Sequence, residues 1–334
     1  MSGPGQARPG VSVVVPFHGS REKAERAAAA LAVLQLGADD ELIVADNTDD
    51  GAFAGLGGVR CDVIHTEVKR SAYAARNIGA EAAAKQWLLF VDDDCLFPPD
   101  LLDRYFETPP PDRAGAVAGQ VVGARDQRGL IPAYIRSRGH LDQELGLAHQ
   151  YRPMAVTANL LVRRQAWRDV GGFAEQTRSG ADADFCWRLQ DAGWTRELDT
   201  GAAVQHVHRD SLRALIEQTR RDGAGGRWLM RRWPGYRVHP ALGREILRGL
   251  AGGVFWTVCL RPRRALFKLI DPLFVFAAAI GTLESNSTPA AEDQATGPVV
   301  FLDEFPIPGD SAPGGPGRVE ALRRPRVQDW PRAR

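Results

Sequence analysis

The chain's apolar positions first gather in an unbroken β-branched run, Val11-Ser-Val-Val-Val-Pro16. A continuous apolar run of this length, stopped by proline, predicts a buried strand. Residues 20–36 then place Ala and Leu at helical spacing and stop at Gly37, which predicts a helix. Glu41-Leu-Ile-Val-Ala-Asp46 is a second short apolar strand, closing in the polar turn Asn47-Thr-Asp-Asp-Gly51. A third strand at about 59–65 precedes an Ala-rich helix over about 71–85. Trp87-Leu-Leu-Phe-Val91 is a fourth strand and runs directly into Asp92-Asp93-Asp94. Strands alternating with helices at this spacing predict βαβ units and an α/β fold with a mostly parallel sheet. In such a sheet ligands sit beyond the carboxyl ends of the strands, at the topological switch point. Pro16-Phe17-His18, Asp46 and Asp92 to Asp94 all stand at those ends, so the acidic groups share one rim.

The second half is less regular. Ala155-Val-Thr-Ala-Asn159-Leu-Leu-Val162 predicts a strand, followed by a helix and a turn at Gly171-Gly172-Phe173. A helix over about 182–193 carries Asp182, Asp184, Trp187 and Arg188 and ends at Gly193; Asp184 and Arg188, at i and i+4, predict a helix-surface ion pair. A short strand reaches His206-Val-His208, and a further helix begins near Ser211. Beyond about residue 285 the composition shifts to Pro, Gly, Ser and charge, which predicts a disordered tail over 285–334.

Composition narrows the classes. With 44% hydrophobic and 25% charged residues the chain has material for a substantial core, and a formal net charge of +1 marks no polyanionic partner. Its four cysteines form no CxxC pair, which argues against zinc spacing and a disulfide scaffold. Met1 to Gly10, a flexible N-terminus, contains no apolar signal run, so a cytoplasmic setting is the expectation.

Three consecutive aspartates after a buried strand are costly to hold together without a compensating cation or donors. Asp92 and Asp94, two apart, converge if the chain bends after the strand, and such hard oxygen ligands suit Mg²⁺ or Mn²⁺ together with substrate phosphates. The alternative is a solvated acidic turn before the helix that follows Pro98-Pro99-Asp100.

Taken in order, the Val-Val-Pro of the first strand, Asp46, Ala-Ala-Arg76-Asn77-Ile-Gly79, Leu-Phe-Val-Asp92-Asp93-Asp94, Asn159, Val170-Gly-Gly-Phe173, Gly180-Ala181-Asp182-Ala183-Asp184-Phe185, Arg188-Leu189 and Val204-Gln-His206 resemble the family 2 glycosyltransferases of the GT-A fold. The resemblance covers about residues 11–225, and its specificity lies in the ordered set. It implies a Rossmann-like sheet flanked by helices and an inverting, metal-assisted transfer of a sugar from a nucleotide diphosphate to an acceptor hydroxyl. Pro16 and Phe17 would lie along the nucleotide, Asp46 would accept from the base, and Arg76 would support the nucleotide pocket. Asp92 and Asp93 would belong to the donor site, Asp92 on its ribose side. Asp94 and His206 would hold the metal, with His208 as a competing candidate. Asp182 would be the general base. The family's usual Gly-Glu-Asp reads Gly-Ala-Asp here, so the acid preceding the base is missing.

From Arg213 to Lys268 thirteen Lys or Arg residues stand against three acids. Two stretches of twelve uncharged residues, 249–260 and 272–283, lie in or beside this region. Each is shorter than the roughly 20 residues a helix needs to span a bilayer. One reading of region 226–284 is a membrane-associating pair of interfacial helices with basic flanks on an anionic membrane surface, peripheral on the inner face of the cell membrane. The other is a pair of core helices. No nucleic-acid module accompanies the charge. The expected partners are a UDP-, dTDP- or GDP-sugar and an acceptor the sequence does not name, with no nucleic acid. A sugar-phosphate nucleotidyltransferase would need a Gly-rich N-terminal loop, and Val11 to Ser20 holds only Gly19. The non-enzymatic alternative is a degenerate transferase kept as a membrane-bound binding or scaffold protein.

Overall fold

A computed structural model describes residues 8–65, 71–237, 242–288 and 300–302. Nine strands join in one sheet, in the order β5-β8-β6-β7-β4-β1-β2-β3-β9. Its first half follows the expectation closely. β1 (Val11–Phe17), α1 (Arg21–Leu31), β2 (Glu41–Asp46), β3 (Asp62–His65), α2 (Ala72–Ala82) and β4 (Trp87–Val91) alternate, and these four strands pair in parallel. β1 lies between β2 and β4, which places the switch point beside Phe17.

The strands are buried on both faces, as their unbroken apolar runs require. Each crossover helix starts on a serine: the Ser20 hydroxyl accepts from Lys23 N, and the Ser71 hydroxyl from Tyr73 N and Ala74 N. α2 lies close on the sheet, since a Cβ at Gly79 would come within 2.5 Å of Val14 Cγ1.

The sheet then becomes mixed. Of the connecting pieces β5 (Cys95–Leu96), α3 (Leu101–Arg104), β6 (Ala114–Gly123), α4 (Leu130–Ser137) and α5 (Gln143–Leu147), only α3, the helix after Pro98-Pro99-Asp100, is expected from the sequence pattern. β6 is Ala- and Gly-rich, with little β-branched signal to betray it. β7 (Asn159–Arg163) runs antiparallel to both β4 and β6, so the mostly parallel description holds only for the first half. After α6 (Arg164–Asp169) and α7 (Ala181–Asp191), β8 (Thr195–His206) pairs in parallel with β6 and returns His206 to the rim that carries Asp92 to Asp94.

Three helices follow among the described residues: α8 (Leu212–Arg232), α9 (Leu242–Val258) and α10 (Pro262–Gly281). α8 runs unbroken through residue 225, the expected domain boundary, because Gly223 and Gly225 serve close packing here rather than a break. α10 packs on α8 and α9 packs on α10. Ile131, Tyr134, Ile135, Leu215 and Ile270 form the cluster beneath α10. The outward side is not covered: Leu247, Val254, Phe255 and Val258 of α9 are 57–77% exposed, and Leu273 and Phe276 of α10 about half exposed. No helix among the described residues is long and apolar enough to cross a membrane.

Within the segment expected to be disordered, Ser287 bridges to Thr177, and β9 (Val300–Leu302) adds antiparallel to the edge of β3. Asn286 is buried there and bonds to Ser179, while residues 289–299 and 303–334 lie outside the described residues.

Candidate active site

The rim at the carboxyl ends of β1 and β4 opens into a cleft of about 800 Å³. Pro16, Phe17, Arg76, Asp92, Asp93, Asp94, Asp182 and His206 all line it. Asp46 does not. It is fully buried; Oδ1 accepts from Thr48 N and Thr48 Oγ1, and Oδ2 accepts from Phe53 N at 2.7 Å. Both of its oxygens accept from its own loop, a turn-forming arrangement, and Asp46 is not among the residues lining the cleft. His18 and Asn47, from the same strand ends, face the cleft instead.

Asp92, Asp94 and His206 each bring a ligand atom to within 4.8 Å of the others. The resemblance gives the metal to Asp94 and His206 and places Asp92 on the donor; the fold brings Asp92 into the same group, as the spacing of the two aspartates allows. His206 Nε2 stands 3.0 Å from Asp94 Oδ1, a buried oxygen without an aligned hydrogen-bond donor. An orphaned carboxylate oxygen beside a second carboxylate and an imidazole fits a divalent cation. Burial alone would raise the Asp94 carboxyl, but the interaction with His206 outweighs it and holds Asp94 below the usual range. Burial likewise works to lower His206, and Asp94 reverses the sign, so the imidazole is raised. His208 stacks behind His206, ring centroids 5.2 Å apart, and does not line the cleft.

The neighbouring carboxylates have cationic partners. Arg76, buried on α2, donates to Asp92 through an ion pair. Lys23, on α1, lies 2.7 Å from Asp93. Burial pushes the Asp93 carboxyl up to about 6 against the pull of Lys23.

Asp182 sits half-buried in the first turn of α7, where the positive end of the helix complements a carboxylate. Gly180, at φ 87°, turns the chain into that helix. The buried Tyr73 hydroxyl donates to Asp182 Oδ1, and Thr157 N approaches Oδ2 at 3.4 Å. Burial first, then the Asp182 charge, drives the Tyr73 phenol well above its ordinary range, so it remains a donor. Ala181 itself is fully buried in the apolar core, where a carboxylate would be unpaired. Tyr73 was missed by the sequence reading, yet it stands at i−3 from Arg76 on one helix face, and that spacing was available. Asp222 of α8, which accepts from Ser179 Oγ at 3.0 Å, also lines the cleft and carried no local signal.

Several residues of the ordered pattern prove to be structural. Asn77 is bonded both ways with Phe173, Nδ2 to O and Oδ1 from N, each at 2.9 Å. Asn159 joins Tyr105, Gln120 and Ala202. The Asp184–Arg188 pair forms, but buried rather than on the surface: Asp184 is 0% exposed and also accepts from Arg232 and Trp233.

Residues 12–171 match the family model described as glycosyl transferase family 2. Over those residues the chain is a family 2 glycosyltransferase domain. Among curated relatives, the pre-mycofactocin glycosyltransferase of Mycobacterium tuberculosis is 30% identical over 219 residues, which are 62% of this chain and 44% of that protein. Glycosyltransferase AglE of Haloferax volcanii is 27% identical over 199 residues, 56% of this chain and 63% of that protein. The chain thus spans roughly half the length of the curated relatives it matches. A mannosyltransferase from Pyrobaculum calidifontis, solved with GDP-Man and Mn²⁺, shares the GT-A fold at a TM-score of 0.58 and 17% identity, over 83% of this chain and 88% of that one.

Proposed function

We propose that this protein is an inverting glycosyltransferase, moving a sugar from a nucleotide-diphosphate donor to an acceptor hydroxyl. The observation that carries the reading is the pairing, along one cleft, of the Asp92–Asp94–His206 group with Asp182 under the Tyr73 hydroxyl. Pro16 and Phe17 would flank the nucleotide, with Arg76 and Asp93 shaping its pocket. Asp92, Asp94 and His206 would hold Mg²⁺ or Mn²⁺, which when bound offsets the charge collecting on the departing diphosphate. Asp182 takes the acceptor proton as the oxygen attacks the anomeric carbon. The bond to the diphosphate breaks on the opposite face, so the configuration inverts. The solved mannosyltransferase with GDP-Man and Mn²⁺ puts GDP beside UDP and dTDP among the donors to try first.

A membrane-proximal acceptor belongs to the same reading. The exposed apolar faces of α9 and α10, flanked by Arg244, Arg248, Arg261, Arg263 and Arg264, support an interfacial seat on an anionic membrane surface, peripheral on its inner face. The scaffold alternative is disfavoured by the donors assembled around Asp182.

Calorimetric titration with UDP, dTDP and GDP, each with and without Mn²⁺, tests the donor site. Binding of one nucleotide that requires the metal and disappears in Asp94→Ala supports it. A folded protein that binds none of the three sinks it.

A further inference from the structure

The cleft does not end at the residues used above. A second cavity, of about 440 Å³, opens from it, and Arg178, Arg209, Gln218 and Arg221 line both. Its walls are basic. Arg178, Arg209, Arg220 and Arg221 stand there with two acids, Glu217 and Glu284, and both acids are already engaged. Glu284 pairs with Arg220 and lies 3.8 Å from Arg178. Glu217 pairs at 3.0 Å with Arg213, one turn back along α8. Arg209 and Arg221 make no ion pair among the described residues.

Two guanidiniums with no carboxylate within salt-bridge distance among the described residues, Arg209 acting on Asp94 and Arg221 on Asp222 only from farther off, raise the positive potential of the wall they share. The guanidinium fork is also the side chain best matched to phosphate and carboxylate oxygens. Position indicates which substrate they serve. Arg178 lies four residues before Asp182, in the loop entering α7, and Arg221 adjoins Asp222 on α8. Arg209, three residues beyond His206, closes the cavity from the metal side. The basic cavity thus continues the cleft on the side of the base, from which an acceptor approaches in an in-line displacement.

We infer that the acceptor is anionic, carrying a phosphate or carboxylate group that seats on Arg221 and Arg209 while its hydroxyl turns toward Asp182. The inference rests on the glycosyl-transfer reading. The acceptor oxygen bonds to the anomeric carbon, the carbon–diphosphate bond breaks, and the hydroxyl proton passes to Asp182; the anionic group takes no part in the bond changes. A lipid headgroup and a soluble phosphorylated or acidic sugar share this chemistry.

The test uses the full-length protein saturated with Mg²⁺ and whichever nucleotide it binds, titrated with inorganic phosphate and, separately, with glucuronate. At least one of the two should bind without displacing the nucleotide. Arg221→Gln should weaken that anion by about tenfold or more while nucleotide affinity stays within about twofold. Retained nucleotide binding also shows that the variant is folded. Competition by glycerol 3-phosphate or glucuronate alone assigns a soluble acceptor, and competition by phosphatidylglycerol vesicles alone a lipid-borne one. A loaded protein that takes neither anion overturns the inference. So does an anion that competes with the nucleotide, or an Arg221→Gln variant that loses nucleotide as strongly as anion, because the arginines then serve the donor. Absence of nucleotide binding in the first step overturns the glycosyl-transfer reading itself.

Discussion

At the scale of single residues, the proposed base Asp182 and the tyrosine that holds it can be separated by experiment. Asp182→Asn removes the proton acceptor but keeps the shape and the Tyr73 contact, so kcat should fall by about 10²–10⁴ while nucleotide affinity holds. Tyr73→Phe removes only the hydroxyl that aims Asp182. It should lower kcat by about tenfold with little change in the donor KM, as expected for one lost charge-assisted hydrogen bond. Steady-state kinetics on both variants check the pair; an unchanged kcat in Asp182→Asn removes that residue from the chemistry. His140 offers a stability measurement. Burial, aided by His206 and Arg209, pushes its imidazole down to about 4. Between its ordinary value near 6.5 and 4, the unfolded chain binds a proton that the folded protein refuses. Stability from this group is therefore present above pH 6.5 and is lost as pH falls toward 4. His140→Gln, which preserves a partner for Gln218, should flatten the fall in urea-unfolding stability from pH 7 to pH 5. His208, also lowered to about 4, leaves a residual slope of the same sign.

At the scale of elements, α7 and the end of α8 are fastened through one buried carboxylate. Asp184 takes Arg188 from its own helix and Arg232 and Trp233 from the end of α8. Asp184→Ala strands these donors and should cost about 3–5 kcal/mol, read by denaturant unfolding. A loss under 1 kcal/mol would show that water replaces the carboxylate. α8 and α10 meet backbone to backbone, because a Cβ at Gly223 would collide with the Ala278 carbonyl and one at Gly281 with the Arg220 carbonyl. Gly281→Val should push α10 off α8 and make it accessible to limited proteolysis, while the β-sheet and its nucleotide site persist. Arg220 and Arg221 sit at this crossing, so docking of α10 also fixes the wall of the basic cavity.

At the scale of the whole molecule, charge and apolar exposure coincide on one side. The uncovered residues of α9 and α10 lie among arginines with few acids beside them. The protein should sediment with vesicles containing phosphatidylglycerol and not with phosphatidylcholine alone. Raising the salt from 0.1 M to 1 M, which shortens the Debye length from about 10 Å to 3 Å, should weaken the association. Leu247→Glu with Phe255→Glu should abolish it. Equal binding to both vesicle types would remove the anionic surface from the reading.

The first half of the fold was legible because its signals are local: unbroken apolar runs for β1, β2 and β4, Ala and Leu at helical spacing in α1, an Ala-rich stretch for α2, and acids at strand ends. The pairing of Asp92 with Asp94 is suggested by their spacing after a strand, whereas Asp182 and His206 are singled out by the family resemblance. What the chain could not state locally was pairing across distance. β6 carries too little β-branched signal to be seen, and the antiparallel turn of β7 depends on its neighbours in the sheet. Asp46 reads identically whether it faces a ligand or its own loop; only the closure of Thr48 and Phe53 around it decides. Tyr73 and Asp182, 109 residues apart, meet because α2 and α7 pack on the same end of the sheet. The exposure of α9 is likewise a tertiary outcome, since an apolar stretch is core or surface according to what packs over it.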